Sequence, residues 1–286
     1  IYYMKILFIH FAISLIMCTV GAQHTQIIGH RGAMGHAPEN TVLSIQKALT
    51  LGVDGIEIDV FQCQSGEIVV FHDKKLNKLT NGKGKIQQKT WAQLQELQVM
   101  GSESIPILEE IIQLINGRVR LNIELKGKNT SKGVLNIMQT AVESGRWKMN
   151  QLYVSSFDWE ELRVFRKLTN QFGIAVLTEN NPINAISIAH ELNAFAINPN
   201  HKKLTENMVK QIQGEGFEVL TWTVNDATRI EELTSWGVDG IITDFPDRAK
   251  SKRKSNKSKK KDLSNVVHPI DLFPKSSILF LNFLKQ

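Results

Sequence analysis

The sequence predicts an α/β chain closed into a (β/α)8 TIM barrel, with a hairpin and a small insertion after the second strand. Three observations carry this expectation. Short β-branched runs alternate with helical patterns, the signature of βαβ units around a parallel sheet. Eight such runs are present, and eight strands with intervening helices close a barrel more naturally than they form an open sheet. The length, 286 residues, suits one barrel of about 250 residues plus terminal extensions. An open doubly wound sheet is disfavoured because no glycine-rich nucleotide turn follows the first strand.

Residues 4–22 read as a signal peptide. Met4-Lys5 supplies a start and a positive charge, Ile6–Met17 is an apolar run, and Val20-Gly21-Ala22 offers small residues for cleavage. The run is shorter than the roughly 20 apolar residues that a spanning helix needs. A secreted or periplasmic protein beginning near Gln23 is expected. Only Cys63 then remains, so no internal disulfide can form and the core must supply the stability. A buried structural role suits Cys63 better than a nucleophilic one.

The barrel strands are expected at Gln26–His30, Gly55–Val60, Arg120–Lys126, Leu152–Ser156, Gly173–Thr178, Ala194–Asn198, Glu218–Val224 and Gly240–Asp244. Helical patterns lie near 41–51, 108–116, 131–145, 158–169, 183–191, 205–214 and 226–236. One run, Glu67–His72, falls outside the repeat and follows the second strand through Ser65-Gly66, a turn short enough for a hairpin. If that turn is centred between Ser65 and Gly66, His72 lies directly opposite Asp59. The stretch 73–106 is long for a barrel connection, which marks it as functional.

The barrel is expected to span residues 23–247. After Asp247 the periodicity stops, and 248–286 reads as a disordered basic tail. The formal net charge is +6, with a pI near 9.2. Residues 250–261 alone hold eight Lys and Arg and no acid, so the remainder of the chain sums to −2. The basic balance therefore belongs to the tail, which could touch a membrane surface or be simply solvated, and no nucleic-acid partner is expected for the barrel.

Catalytic groups of such barrels gather at the carboxyl ends of the strands. There the sequence places His30-Arg31-Gly32, Glu57 and Asp59, His72-Asp73, Glu124 and Lys126, and Trp222. Glu57 and Asp59 are two apart, so they share one strand face with Ile56, Ile58 and Val60 opposite. Glu124 and Lys126 repeat this pattern against Leu121, Ile123 and Leu125. Three converging carboxylates repel one another unless a cation lies between them, and a hard divalent ion such as Mg²⁺ or Ca²⁺ is their natural ligand. Ion pairing with Lys126 or Arg31 is the competing account. His30 and His72 titrate near neutral pH, which suits protonation of a leaving alcohol and deprotonation of an attacking hydroxyl. Arg31 and Lys126 suit phosphate oxygens. Together these groups fit phosphate ester chemistry better than glycoside or peptide hydrolysis.

His30-Arg31-Gly32, Pro38-Glu39-Asn40-Thr41, Glu57-Ile58-Asp59-Val60, the segment from Ser65 through His72-Asp73, and Glu124-Leu125-Lys126 resemble, in order, the motifs of glycerophosphodiester phosphodiesterases. Trp222-Thr223-Val224-Asn225 and the run Gly237–Asp244 are similar to that family's closing strands. The likeness covers residues 26–247. It implies a divalent metal held by Glu57, Asp59 and Glu124, and His30 and His72 as the acid–base pair. It further implies phosphate contacts from Arg31 and Lys126, with Glu39 or Asn40 supporting the substrate site, and products that are an alcohol and glycerol 3-phosphate. In such enzymes the glycerol hydroxyl beside the ester attacks phosphorus, so the substrate supplies its own nucleophile. A lysophospholipase D or phosphoinositide-type phosphodiesterase shares these residues and is the alternative. A silent phosphodiester-binding barrel is weakened by the presence of every expected catalytic residue.

Overall fold

The computed structural model describes residues 24–249; the segment 4–22 expected to be a signal peptide and the basic run 250–261 lie outside them. Strand β1 (Gln26–Gly29) pairs in parallel with both β2 (Gly55–Gln62) and β9 (Gly240–Thr243). Between them, β4 (Arg120–Leu125), β5 (Leu152–Ser156), β6 (Gly173–Thr178), β7 (Ala196–Pro199) and β8 (Glu218–Thr221) complete the ring. Because the first strand bonds the last, the sheet is closed: eight parallel strands form a (β/α)8 barrel. β3 (Ile68–Val70) adds to β2 as the antiparallel arm of a hairpin.

Each strand buries both faces, for different reasons. Ile56, Ile58 and Val60 of β2, with Leu121, Ile123 and Leu125 of β4, point outward into one large core. Helices α1 (Val42–Leu51), α3 (Leu108–Ile115) and α4 (Ser131–Glu143) cover that face with Ile45, Ile111 and Met138. Inside the barrel, Ile28, Tyr153, Ala175, Ala196, Leu220 and Ile242 make an apolar floor. Above this floor the inward positions become polar, which puts the chemistry at the carboxyl ends of the strands.

The remaining barrel helices are α5 (Trp159–Leu168), α6 (Ala185–Glu191), α7 (Glu206–Gly214) and α8 (Ala227–Ser235), and three of them start at side-chain caps. The Asp158 carboxylate accepts from Glu160 N and Glu161 N, and Thr205 and Asp226 accept from Met208 N and Arg229 N. Ala249 is buried in the main core, so the packed body extends past the boundary expected at Asp247. Among the described residues, no helix is long and apolar enough to cross a membrane.

The hairpin register differs from the expected one. Val60 faces Val70, Phe61 faces Val69 and Gln62 faces Ile68, so Asp59 lies opposite Phe71 rather than His72. The cause is the turn. Cys63 N bonds Glu67 O and Gly66 N bonds Cys63 O, leaving a three-residue loop with Gly66 at φ 109°, a conformation that glycine alone adopts freely.

Residues 73–106 form a compact insertion rather than a bare loop. The face of β2 that carries Asp59 continues upward through Phe61 and Cys63, and onto these pack Val69, Phe71, Leu76, Ile86, Leu94, Val99 and Ile105. A short helix α2 (Trp91–Gln95), closed by the Thr90–Gln93 capping box, completes it. Cys63 is a buried free thiol within this small core.

Candidate active site

The turn after β1 builds the first wall of the site. Arg31 has φ 49° and Gly32 φ 84°, and a Cβ on Gly32 would lie 2.5 Å from Ser44 Oγ, so only glycine lets the chain press onto α1. This turn aims Arg31 N at Glu57 Oε2 (2.9 Å) and carries the guanidinium over the acids. Arg31 Nη1 donates to Glu39 Oε1 at 2.6 Å, while its Nε lies 3.3 Å from Asp59 Oδ2.

Asn40, itself at φ 58°, clasps Asp59: its Nδ2 donates to Asp59 Oδ2 at 2.9 Å and its Oδ1 accepts from Asp59 N at 3.2 Å. Neighbouring register places Asp59 beside Glu124. Lys126 Nζ donates to Glu124 Oε1 at 2.8 Å and lies 3.7 Å from Asp59 Oδ1.

Glu57, Asp59 and Glu124 therefore converge, all buried, with one oxygen from each lying within 4.8 Å of the others. Both accounts weighed from sequence are present in part, since Arg31 and Lys126 do pair with this cluster. The pairing does not neutralise it. Two cations serve three buried acids, and Arg31 is shared with Glu39. Burial, then the charges of Asp59 and Glu124, pushes the Glu57 carboxyl well above its ordinary range. Burial and the Asp59 charge push Glu124 up to about 7. Asp59 carries the settled charge: burial opposes ionisation, but Arg31, Lys126, His72 and the Asn40 amide hold it below the usual value.

Glu57 Oε1 is buried with no hydrogen-bond partner. An orphaned carboxylate oxygen within an undercompensated all-oxygen donor set fits a hard divalent cation.

The two histidines are built alike. His30 Nδ1 lies 2.6 Å from Asp244 Oδ1, and His72 Nδ1 lies 2.8 Å from Asp73 Oδ1. A carboxylate only accepts, so each aspartate holds the proton on Nδ1 and leaves Nε2 as the free nitrogen. His30 Nε2 is 3.9 Å from Glu57 Oε2. Burial lowers the His72 pKa, with the pull of Asp59 opposing it and the charges of Arg31 and Lys126 adding to it. Asp244 is half-buried, which opposes its ionisation, but the hydrogen bond and charge of His30, followed by Asn225 Nδ2 at 2.6 Å, hold its carboxyl below the usual range.

These groups enclose a cavity of about 100 Å³. His30, Arg31, Glu57, His72, Glu124, Lys126 and Trp222 line it, with Phe157 and Leu177 as an apolar wall. Trp222 is fixed by Nε1 donating to Asn198 O at 2.7 Å and by an edge-on contact with Phe157 at 5.3 Å. Asp59, Glu39 and Asn40 do not line the cavity. They sit behind it, with Glu39 hydrogen-bonded to Arg31 and Asn40 to Asp59.

Sequence reasoning passed over Asp244, Asn225 and Asn122. Asn122 lines the cavity with both amide atoms buried and without partners. Its signal was available, since it precedes Glu124 by two on β4 and shares that face. Asp73 and Asp244 were visible only as parts of motifs, because their bonds to histidines depend on the loops' paths.

The same barrel appears in known proteins. The model of the glycerophosphoryl diester phosphodiesterase family matches residues 30–248. A glycerophosphodiester phosphodiesterase of Bacillus altitudinis is 33% identical over 237 residues, which cover 79% of this chain and 96% of that one. Another, from Caldanaerobacter subterraneus subsp. tengcongensis, is 30% identical over 232 residues, 78% of this chain and 95% of the relative. Among solved structures, an Oleispira antarctica phosphodiesterase in complex with the product sn-glycerol-3-phosphate superposes with a TM-score of 0.74 at 28% identity, covering 80% of this chain and 96% of that one. A family match over residues 30–248, together with a cavity that gathers the motif residues, shows that the chain is an enzyme of the glycerophosphoryl diester phosphodiesterase family.

Proposed function

We propose that the chain cleaves glycerophosphodiesters to an alcohol and glycerol 3-phosphate, with His30 and His72 as the acid–base pair. The observation that carries this reading is the pair of aspartate-held histidines facing one cavity beside three buried acids. Glu57, Asp59 and Glu124 would hold a divalent cation, Mg²⁺ or Ca²⁺. When bound, such an ion polarises a phosphoryl oxygen and offsets charge that grows in the transition state.

The chain's own residues account for the proton movements. One histidine takes the proton of the glycerol hydroxyl beside the ester at its free Nε2. That oxygen forms a bond to phosphorus, the bond to the leaving alcohol oxygen breaks, and the second histidine protonates the departing oxygen. A cyclic phosphate results, and water opens it with the two roles reversed, which returns both histidines to their starting states. Arg31 and Lys126 are cations that line the cavity and suit the phosphoryl oxygens. Phe157, Leu177 and Trp222 exclude water from one side.

The cavity suits a compact glycerophospho group, being smaller than the roughly 300 Å³ at which drug-sized pockets begin. The experiment is a panel of glycerophosphodiesters and lysophospholipids assayed with Mg²⁺, Ca²⁺ and EDTA, with products identified by phosphorus NMR. Glycerol 3-phosphate from soluble diesters, lost on chelation, is the expected result. Cleavage of lysophospholipids alone would transfer the reading to a lysophospholipase D, and no cleavage of any diester would leave a binding barrel.

A further inference from the structure

The insertion carries a concentration of charge that the chemistry in the cavity does not use. Residues 73–89 hold six lysines against Asp73 alone, whereas the other described residues hold 17 Lys and Arg against 25 Asp and Glu. A net-acidic barrel thus carries one strongly basic segment. Lys74, Lys75, Lys83 and Lys85 are exposed, and the ion pairs of the described residues include none of them.

The fold sets two of these lysines side by side. Lys75 and Lys85 are direct antiparallel partners, held by Leu76 N to Gly84 O and Ile86 N to Lys74 O. Like charges set directly opposite on two strands are unfavourable. The buried side chains of Leu76 and Ile86 fix this arrangement, so the repulsion persists until an anion meets it. Met100, in the same insertion, is 63% exposed at φ 50°, and its N donates to Leu79 O, next to Lys78 in the chain. A large apolar side chain displayed in a strained turn of the same basic insertion has the composition of an interfacial contact.

The position of this segment relates it to the cavity. Lys74 follows His72-Asp73 directly, and a Cβ on Gly127, in the loop after Lys126, would lie 2.9 Å from Gln87 Nε2. The insertion therefore stands on the rim of the barrel mouth.

We propose that this lysine-rich segment is a docking surface for an anionic phospholipid bilayer, with Met100 entering the headgroup region and the barrel mouth held close to the membrane. The exposed methionine favours a bilayer over a soluble polyanion, which offers phosphate charge but no apolar layer. Near an anionic surface each lysine is worth about fivefold in binding, and the attraction falls with ionic strength.

The test uses the full chain, so the basic run 250–261 is common to every variant. Partition onto vesicles of phosphatidylglycerol and phosphatidylcholine, and onto phosphatidylcholine alone, is measured by sedimentation at low and high salt, with heparin as a competing polyanion. The variants are the combination Lys74→Gln, Lys75→Gln and Lys85→Gln, and separately Met100→Asp; Lys78 is spared because it pairs with Asp73. The triple substitution is expected to cut binding to anionic vesicles by about 100-fold and Met100→Asp by about tenfold. Melting temperature and hydrolysis of a soluble glycerophosphodiester should stay at the wild-type level. Vesicle binding unchanged by the triple substitution would overturn the proposal, as would equal binding to neutral vesicles. So would anionic binding that is indifferent to Met100→Asp and abolished by heparin, which would identify a soluble polyanion as the occupant. Should the triple variant melt early, Met100→Asp and the salt dependence decide alone.

Discussion

His30 and His72 each have one ring nitrogen fixed by an aspartate, and the value of that contact is directional. Asp244→Asn keeps the size of the side chain but can offer an N–H where a carboxylate accepted, which favours the tautomer protonated on Nε2. With the proposed roles, kcat should fall by about 10²- to 10⁴-fold, while affinity for Mg²⁺ or Ca²⁺, measured by calorimetry, stays near the wild-type value. An equal loss of metal affinity would mean that Asp244 supports the acid cluster rather than the histidine. Asn40 makes the converse case, because both its amide atoms serve Asp59. Asn40→Ala should weaken metal binding by about 10- to 100-fold and leave the pH limbs of the reaction in place, as read by calorimetry and pH–rate profiles.

Among the elements, the insertion has a core of its own, and its stability should be separable from that of the barrel. Leu76 is fully buried there among Phe71, Ile86 and Leu94. Leu76→Ala should cost about 2–5 kcal/mol locally, and hydrogen exchange should show early opening of residues 73–106 with the barrel strands still protected. Uniform loss of protection would show one cooperative unit.

The barrel strands were legible in the sequence because period-2 runs flanked by helical patterns leave little choice of register. A parallel strand buried on both faces also announces any acid it carries, which is why Glu57, Asp59 and Glu124 stood out. The hairpin was less legible. Ser65-Gly66 suggested a two-residue turn, but Gly66 takes the left-handed position of a three-residue loop, and one residue of register moves Asp59 from His72 to Phe71. His72 still lines the cavity because it lies in a bend beyond β3. Asn225 and Asp244 were hidden for the same reason, since their contacts arise between the ends of different strands.

For the molecule as a whole, the acid cluster ties stability to pH. Glu57 and Glu124 have folded-state pKa values raised above their unfolded ones, so the stability they contribute is full at low pH and lost as pH rises, through about 7 for Glu124. Asp59 runs the other way and loses its contribution on acidification. Metal-free protein should therefore melt several degrees lower at pH 8 than at pH 6. A saturating divalent cation should remove most of that difference, because ligands bind in the ionised form. Scanning calorimetry with EDTA or Ca²⁺ reads both arms. A melting temperature that is independent of pH without metal would show that Arg31 and Lys126 already neutralise the cluster.

The central claim is that three carboxylates hold the cation while the two histidines move protons without ligating it. The most direct measurement pairs titration calorimetry with initial rates across metal concentration and pH for Glu124→Gln, His30→Ala and His72→Ala. Glu124→Gln should weaken metal affinity and regain activity as metal is raised. Each histidine substitution should lower the rate by about 10²- to 10⁴-fold or more at every metal concentration, remove one limb of the bell-shaped pH profile and leave metal affinity nearly unchanged. If His72→Ala lost metal binding as severely as Glu124→Gln, His72 would be a ligand, the division of roles would be wrong, and a softer metal such as Zn²⁺ would replace Mg²⁺ or Ca²⁺.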